Sequence, residues 1–277
     1  FVSYAAMDVT KFRRGEVGFE NGLESVPYAF ENRRMLEECH SLFPAEGRKT
    51  LPFVMVDPMR NTDAQAAELV RLRSEHRFHG IKIQSTIIEA DIKRLAHEGR
   101  VFLDLAREWD VPFIIHSSVI ESDVWAQAHD ILDLAEANPD IRFCAAHSCR
   151  FDKECLDRVN ALPNAWFDNS AHCIHCEGAA ADKPFVAPKS RRFDSDYTDP
   201  ARVIADLAAA YPDKFLWGSD SPFYSYAAAI SGKVEKLIST YEREVVALKA
   251  SGPEVVKRIA ATNTLRYLKL PDEGILR

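Results

Sequence analysis

Short apolar segments rich in β-branched and aromatic residues recur along the chain and alternate with longer amphipathic segments. Most of the short segments are apolar throughout, which is typical of strands that are buried on both faces of a parallel sheet. We therefore predict seven strands. They cover residues 2–7, 52–57, 80–84, 112–117, 142–148, 165–170 and 215–220.

The segments between these strands carry apolar residues at helical spacing. Repeated strand–helix units predict an α/β protein with a parallel sheet and right-handed crossovers. Residues 171–198 are predicted to form a long irregular connection. The tail, at 226–268, is predicted to be helical with a break at Ser251-Gly252-Pro253. The other predicted helices cover residues 63–77, 88–109, 122–138, 152–162 and 199–211.

The chain has 277 residues, which suits one α/β-barrel domain, and we treat residues 1–277 as a single domain. Its net charge of −7 argues against binding to nucleic acid or to anionic membranes. No apolar run approaches the ~20 residues of a membrane-spanning helix. The six cysteines suggest no disulfide framework, so we expect a reducing, cytoplasmic setting. The sequence contains neither a Gly-rich phosphate loop nor a Gly-x-Ser-x-Gly elbow, which argues against nucleotide cofactors and serine hydrolysis.

Three predicted strands end in a residue that can bind a metal: His116, His147 and Asp220. The carboxyl ends of barrel strands converge on one mouth, where the active site lies, and Asp168 and Asn169 also end a strand there. Two imidazoles and a carboxylate suit Zn²⁺ or another divalent metal. Such a metal acidifies water and polarises a carbonyl, and Asp220 would act as the general base. The alternative is that each strand-end histidine is a hydrogen-bonded structural residue.

Four motifs follow one another along the chain. The segment Val111–Phe151 contains an apolar-apolar-His and then an Ala-His, each at the end of a predicted strand. Gly80-Ile81-Lys82 lies on an earlier strand, Gly218-Ser219-Asp220-Ser221-Pro222 ends the last one, and Asn263-Thr264-Leu265-Arg266 lies in the tail. This set resembles the amidohydrolase 2 family of the amidohydrolase superfamily, and the Gly-Ser-Asp-x-Pro motif is its most specific part. The resemblance covers residues 50 to 270 and implies a metal-dependent (β/α)₈ TIM barrel.

The resemblance implies a role for each matching residue. His116 would be a metal ligand, and Asp220 would be both a metal ligand and the general base. His147 would be a catalytic histidine that polarises the substrate or carries a proton. Lys82 would contact a substrate carboxylate, or it would pair with Asp57 as a structural lysine.

The same resemblance implies the reaction class and the partners. We expect a hydrolase that cleaves C–O or C–N bonds in a small carboxylated or cyclic substrate, or a decarboxylase (a lyase) of an aromatic or unsaturated acid. The expected cofactor is Zn²⁺, with Mn²⁺ as the alternative, and homodimers are common among such enzymes. Two alternatives are a metal-free barrel that only binds a ligand and a metal-independent acid–base enzyme that uses His147 and Asp220. Asn263 and Arg266 would tie the tail to the barrel.

One departure from the family concerns its first strand, which ends in His-x-His and supplies two metal ligands. No His-x-His occurs in this sequence. We expect that strand to precede Phe1, with residues 2–7 and 215–220 flanking a gap, because an open barrel leaves two unpaired edges. Alternatively, the chain is a fragment or split product, or it is a degenerate relative without metal. With those ligands missing, the metal would be weakly bound or absent.

Two further groups of residues lie in the predicted irregular connection. His172 and His175 are predicted to contact the substrate or to help replace missing ligands. A separate structural zinc bound by these two histidines together with Cys173 and Cys176 is an alternative, although adjacent residues do not easily surround one ion, and a partly buried turn with inert thiols is another. Arg191 and Arg192 are predicted to bind a substrate carboxylate, or to lie in a solvated loop.

Overall fold

The computed structural model describes residues 26–47, 50–230 and 233–271. The chain divides into two compact units. The first comprises Phe1–His116 with Asp123–Phe143, and the second comprises Ser117–Ser122 with Cys144–Arg277. Among the residues described, none of the helices combines the length and the apolar character that crossing a membrane requires.

A parallel sheet forms the centre of the first unit. Val54 lies opposite Ile81, and Lys82 lies opposite Ile114. Its strands are β1 (Phe53–Met55), β2 (Gly80–Ile83), β3 (Phe113–Ile115) and the first residue of β4 (Phe143–Ala145). Its helices are α1 (Ala29–Glu37), α2 (Pro44–Gly47), α3 (Thr62–Glu75), α4 (Ser85–Ile88), α5 (Arg100–Trp109) and α6 (Ala128–Ala137), with a π turn at Glu38–Leu42 and a 3₁₀ turn at Ile92–Ala96.

The second unit continues from Cys144 with parallel strands and a separate hairpin. Its parallel strands are the rest of β4, β5 (Ala165–Asp168) and β6 (Phe215–Leu216), and its antiparallel pair is β7 (Tyr226–Ile230) with β8 (Lys233–Leu237). Its helices are α7 (Lys153–Ala161), α8 (His172–Ala180), α9 (Pro200–Ala210), α10 (Tyr241–Ala250), α11 (Pro253–Lys257) and α12 (Asn263–Leu268), with a 3₁₀ turn at His147–Phe151 and a π turn at Arg258–Thr262.

Stacked phenylalanine rings on neighbouring strands fill the core of each unit. In the first unit the rings of Phe113 and Phe143 stack with centroids 5.5 Å apart, and in the second those of Phe167 and Phe215 stack at 4.8 Å. All four side chains are fully buried. Burial of each contributes about 1.5–3 kcal/mol, which explains why these strands are apolar on both faces.

Side-chain caps stabilise the first turns of α7, α9 and α10 in the second unit. Asp152 accepts the N–H groups of Glu154 and Cys155 at the start of α7, and Asp199 caps α9 in the same way. Thr240 accepts the N–H of Arg243 at the start of α10. Each cap stabilises its helix by about 1 kcal/mol, so these short polar side chains determine the lengths of the preceding loops.

The motif in the tail has the structural role predicted for it. The amide nitrogen of Asn263 donates to the carbonyls of Pro212 and Phe215 at 2.9 and 2.8 Å. Arg266 forms an ion pair with Asp213 at 2.8 Å. Both residues therefore tie α12 to the segment that leads into β6, as the sequence predicts.

Six of the seven predicted strands are confirmed, although each is shorter than its apolar segment. The seventh, at 2–7, lies outside the described residues, and so does one side of the predicted gap next to 215–220. The predicted helix at 88–109 is divided, because Gly99 separates the turn at Ile92–Ala96 from α5. The predicted break in the tail is confirmed, since α10 ends at Ala250 and Pro253 begins α11.

Two predictions of secondary structure were wrong. The first part of the predicted helical tail is the antiparallel pair β7–β8, in which Ile230 lies opposite Lys233. The run Tyr226-Ala-Ala-Ala favours a helix, but pairing with Lys233–Leu237 outweighs that preference. The predicted irregular connection at 171–198 contains the helix α8, whose alanines and buried cysteines suit a helix packed on several sides.

Candidate active site

His116 directly follows β3 in the first unit and is half-buried. Its N–H donates to the carbonyl of Ile83 at 3.0 Å, so the residue still belongs to the edge of the sheet. Its Nδ1 lies 3.2 Å from the amide nitrogen of Gln84, whose buried Oε1 has no hydrogen-bond partner among the residues that the structure describes. Exchanging the two ends of this amide would let Oε1 accept a proton from Nδ1, an arrangement that leaves the lone pair of His116 on Nε2.

The Gly-x-Lys motif lies on β2. A Cβ atom at Gly80 would collide with the ring of Phe53, so glycine allows the close packing of β1 on β2. The carbonyl of Lys82 accepts the N–H of Val56 at 3.2 Å. Asp57, the alternative partner predicted for Lys82, forms an ion pair with Arg60 at 2.5 Å. Burial raises the pKa of Asp57, and Arg60 opposes that shift. The role of Lys82 toward a substrate stays a prediction.

His147 follows β4 in the second unit and is 4% exposed. Its N–H donates to Oδ1 of Asp168 at 3.1 Å. Its Nδ1 lies 2.9 Å from the carbonyl oxygen of Ser170 and 3.0 Å from the hydroxyl of the same residue. The polar residues at the end of β5 therefore hold both the backbone and the ring of His147.

The end of β5 also holds its neighbour on the other side. Oδ1 of Asn169 accepts the N–H of Gly218 at 3.2 Å, and the carbonyl of Ser219 accepts the N–H of Ala171 at 3.3 Å. Asp220 comes next, half-buried and with a φ of 62°, a left-handed conformation that aspartate adopts more readily than most residues. In the second unit, the strand ends that lead to His147 and Asp220 are thus both attached to β5.

The chain turns in an unusual way after β4. His147, Ser148, Cys149, Arg150 and Phe151 all have positive φ, between 47° and 64°. None of them is glycine, so each pays the steric cost of its Cβ in the left-handed region. Strained non-glycine backbone of this kind clusters at functional sites, where surrounding contacts over-determine it.

The helix α8 brings His175 to the edge of the ring of His147, with centroids 5.1 Å apart. Nη1 of Arg150 makes a close hydrogen bond to Nε2 of His175, and Nε of Arg150 donates to the carbonyl of Ser117 at 2.9 Å. Burial, followed by the charge of Arg150, lowers the pKa of His175 well below its usual value. His175 is therefore a neutral imidazole next to His147.

His172 lies one turn earlier on α8 and is buried. Its Nε2 lies 2.9 Å from the carbonyl of Pro200 and 3.4 Å from the thiol of Cys176, and burial lowers its pKa to about 4. Cys173 has a different neighbour, because its N–H donates to both carboxylate oxygens of Glu244 at 3.3 Å. Burial raises the pKa of Cys173 to about 12 and that of Cys176 well above its usual value. Both thiols are therefore protonated and unreactive at neutral pH.

Arg191 and Arg192 follow α8 and make internal ion pairs. Arg191 pairs with the buried Asp152 at 2.8 Å, and Arg192 pairs with Asp182 at 2.6 Å. Arg192 also donates to the carbonyls of Ala187 and Ala179, at 2.7 and 2.6 Å. These bonds give both arginines structural roles, and their contact with a substrate stays a prediction.

Sequence reasoning missed Arg150 and Ser170 as site residues. The signal for Ser170 was present, since Asp168-Asn169-Ser170 is a run of polar residues at the end of an apolar strand. Arg150 gives no such signal, because its contact with His175 depends on the left-handed turn. Chemically, the second unit combines a histidine held by fixed acceptors, a neutral histidine next to it and a carboxylate on an adjoining strand end.

Several solved structures share the fold of this chain. Dihydroorotase from Campylobacter jejuni is 15% identical, with a TM-score of 0.56 over 88% of this chain and 72% of that one. An uncharacterised TIM-barrel protein from Bordetella bronchiseptica is 11% identical, with a TM-score of 0.57 over 84% and 71%. 5-Carboxyvanillate decarboxylase from Novosphingobium aromaticivorans, with bound manganese, is 14% identical, with a TM-score of 0.53 over 86% and 70%. Such low identities show the fold alone, and they confirm the predicted α/β TIM-barrel class.

Among curated proteins, none matches this chain. A family model described as Amidohydrolase matches residues 15–270. That range includes every motif on which the resemblance rests. Because the match spans most of the sequence, the chain belongs to the amidohydrolase family.

Proposed function

We propose that the protein is a metal-dependent hydrolase that cleaves a C–O or C–N bond in a small carboxylated or cyclic substrate. The observation that carries the proposal is the attachment of two strand ends to β5. Asp168 and Ser170 hold His147 on one side, and Asn169 holds the Gly218-Ser219-Asp220 segment on the other. A fixed imidazole and a carboxylate on adjoining strand ends are the groups that acid–base hydrolysis requires.

The proposed metal ligands are His116 and Asp220. Both Zn²⁺ and Mn²⁺ bind imidazole and carboxylate ligands, so these two residues are of types that can hold a divalent metal. The contact between Nδ1 of His116 and Gln84 also fits, because a metal-binding histidine usually has its second nitrogen held by a neighbour. A metal bound there would supply a Lewis acid that acidifies water and polarises a carbonyl oxygen.

The chain's own residues would move the protons. Asp220 would accept a proton from the attacking water, and His147 would polarise the substrate or pass a proton to the leaving group. Next to His147, the neutral His175 would contact the substrate without adding charge. The other residues proposed to contact the substrate are Lys82, His172, Arg191 and Arg192.

The test of this proposal is metal content and turnover measured on protein expressed from the complete reading frame. We expect near-stoichiometric zinc or manganese by elemental analysis, its loss in His116→Ala, and its retention in the control His97→Ala, which removes an exposed histidine. Hydrolysis of a panel of lactones and cyclic amides should stop with a chelator and return with metal. A folded protein without metal would overturn the proposal and favour a ligand-binding barrel. Turnover that a chelator leaves unchanged would overturn it in favour of acid–base chemistry by His147 and Asp220 alone.

A decarboxylase of aromatic or unsaturated acids is the second candidate. It is favoured by the similar fold of 5-carboxyvanillate decarboxylase, which was solved with manganese bound. The two reactions leave different products, so the same panel should include aromatic carboxylic acids and a measurement of released carbon dioxide. Release of carbon dioxide without hydrolysis of any lactone or amide would replace the first proposal with the second.

A further inference from the structure

The ring of His147 faces two oxygen atoms of one residue. Nδ1 lies 2.9 Å from the backbone carbonyl oxygen of Ser170 and 3.0 Å from its hydroxyl oxygen. A carbonyl oxygen has lone pairs and no proton, so it only accepts hydrogen bonds. The contact therefore requires that Nδ1 carry the proton in the neutral ring.

The hydroxyl of Ser170 leads to the same conclusion independently. Its single proton is donated to Oδ1 of Asp168, at the short distance of 2.5 Å. The hydroxyl thus presents only lone pairs to His147. The hydroxyl oxygen is thus a second acceptor that faces Nδ1. In the tautomer with the proton on Nε2, the lone pair of Nδ1 would point at the lone pairs of both Ser170 oxygens, which is unfavourable.

Asp168 is the residue on which this arrangement depends. Its Oδ1 accepts the N–H of His147 at 3.1 Å, the N–H of Ser170 at 2.8 Å and the Ser170 hydroxyl. The carboxylate thereby fixes the direction of the hydroxyl proton and also the backbone where the left-handed turn begins. Buried carboxylates that accept several N–H and O–H bonds are strong acceptors, so the hydroxyl has little reason to rotate.

We propose that Asp168 and Ser170 are positioning residues, which hold His147 with its proton on Nδ1 and its lone pair on Nε2. The proposal rests on the proposed function only for the use of that lone pair, which would accept a proton and then pass it to the leaving group. A tautomer fixed by the second nitrogen's partner is a general way in which proteins prepare a histidine for chemistry.

The experiment is nitrogen NMR on histidine-labelled protein at pH about 8, where free imidazole is neutral. His147→Gln assigns the signal by its disappearance. In the wild type we expect Nδ1 in the shift range of a protonated nitrogen and Nε2 in that of an unprotonated one. The opposite assignment would overturn the proposal, whatever the outcome of the metal and turnover measurements.

Variants test whether the two residues cause the tautomer. Asp168→Ala should shift the His147 signals toward a mixture of both tautomers, because the freed Ser170 hydroxyl can then donate to Nδ1. Asp168→Asn keeps an amide oxygen in place of Oδ1 and should restore the wild-type signals. Asp199→Ala is the control, since it removes another acceptor of backbone N–H groups, at the start of α9. Should Asp168→Ala not fold, Ser170→Ala removes one of the two acceptors and should raise the minor tautomer several-fold. Unchanged tautomer ratios in these folded variants would overturn the positioning role.

Discussion

The two strand ends that carry histidine read almost alike in the sequence but differ in the structure. Each is an apolar segment followed by His, yet His116 is half-buried with the Gln84 amide against its ring, whereas His147 is 4% exposed and meets two oxygens of Ser170. From His147 to Phe151 the backbone is left-handed for five residues. The difference indicates that the end of the neighbouring strand, and not the histidine's own motif, determines which hydrogen-bond partners its ring has.

The largest expected effect is a difference in stability between two variants, one that removes Asp168 beside His147 and one that removes Gln84 beside His116. Asp168→Ala removes a buried carboxylate oxygen that accepts three N–H and O–H hydrogen bonds, and the N–H groups of His147 and Ser170 lose this acceptor, so we expect it to lower the free energy of unfolding by about 3 kcal/mol. Gln84→Ala, the matched change beside His116, should cost about 1 kcal/mol or less. Chemical denaturation of both variants tests this, and equal losses would contradict the comparison.

The next effect concerns pH. Burial lowers the pKa of His172 from 6.5 to about 4 in the folded protein, so between these values the unfolded chain binds more protons than the folded one. The free energy of unfolding should therefore fall as the pH drops from 6.5 toward 4, by up to about 1.4 kcal/mol per pH unit. Above pH 6.5 the contribution of His172 to stability is fully present. Denaturation at several pH values measures the slope.

A matched pair of variants assigns that slope to His172. His172→Gln should flatten the profile, whereas His97→Gln, which replaces an exposed histidine of the first unit, should leave it as it is. The lowered pKa of His175 adds to the slope in the same direction, so some dependence should persist in the first variant. A wild-type profile without slope below pH 6.5 would contradict the prediction.

The smallest effect tests the left-handed turn itself. Ser148 has a φ of 50°, and its side chain makes a long hydrogen bond, 3.4 Å, to the carbonyl of Asp168. Ser148→Gly should raise the free energy of unfolding by about 1 kcal/mol, because glycine has no steric penalty there. Ala146→Gly, at an extended residue just before the turn with a φ of −67°, should instead lower it by roughly 0.5–1 kcal/mol. A loss in thermal stability on Ser148→Gly would show that the turn is not strained.

The sequence predicts the parallel strands well. Phe113-Ile114-Ile115 and Ala165-Trp166-Phe167 are apolar on both faces, and such strands are stable inside a parallel sheet that is covered on both sides. It also predicts which residues follow the strands. It does not predict the turn after β4, since Ser148-Cys149-Arg150 contains no glycine that would indicate positive φ. Long-range contacts decide that conformation, above all those to Asp168.

The candidate site is harder to predict than the fold for a related reason. His172 and His175 stand out by composition, but only the helix α8 determines that one meets Pro200 and the other meets Arg150 and His147. Arg192 stands out by charge, yet its donors are used by Asp182 and by backbone carbonyls. Residue type indicates what a side chain can do, whereas the partners decide what it does.

The carboxylate of Glu244 accepts the N–H of Cys173 from a position 71 residues further along the chain, and it also accepts the hydroxyl of Ser239 at 2.6 Å. The amino end of α8 therefore lacks this acceptor until α10 has been synthesised. Because domains form as the nascent chain leaves the ribosome, the helix that carries His172 and His175 would gain this acceptor only after about 70 further residues have been synthesised.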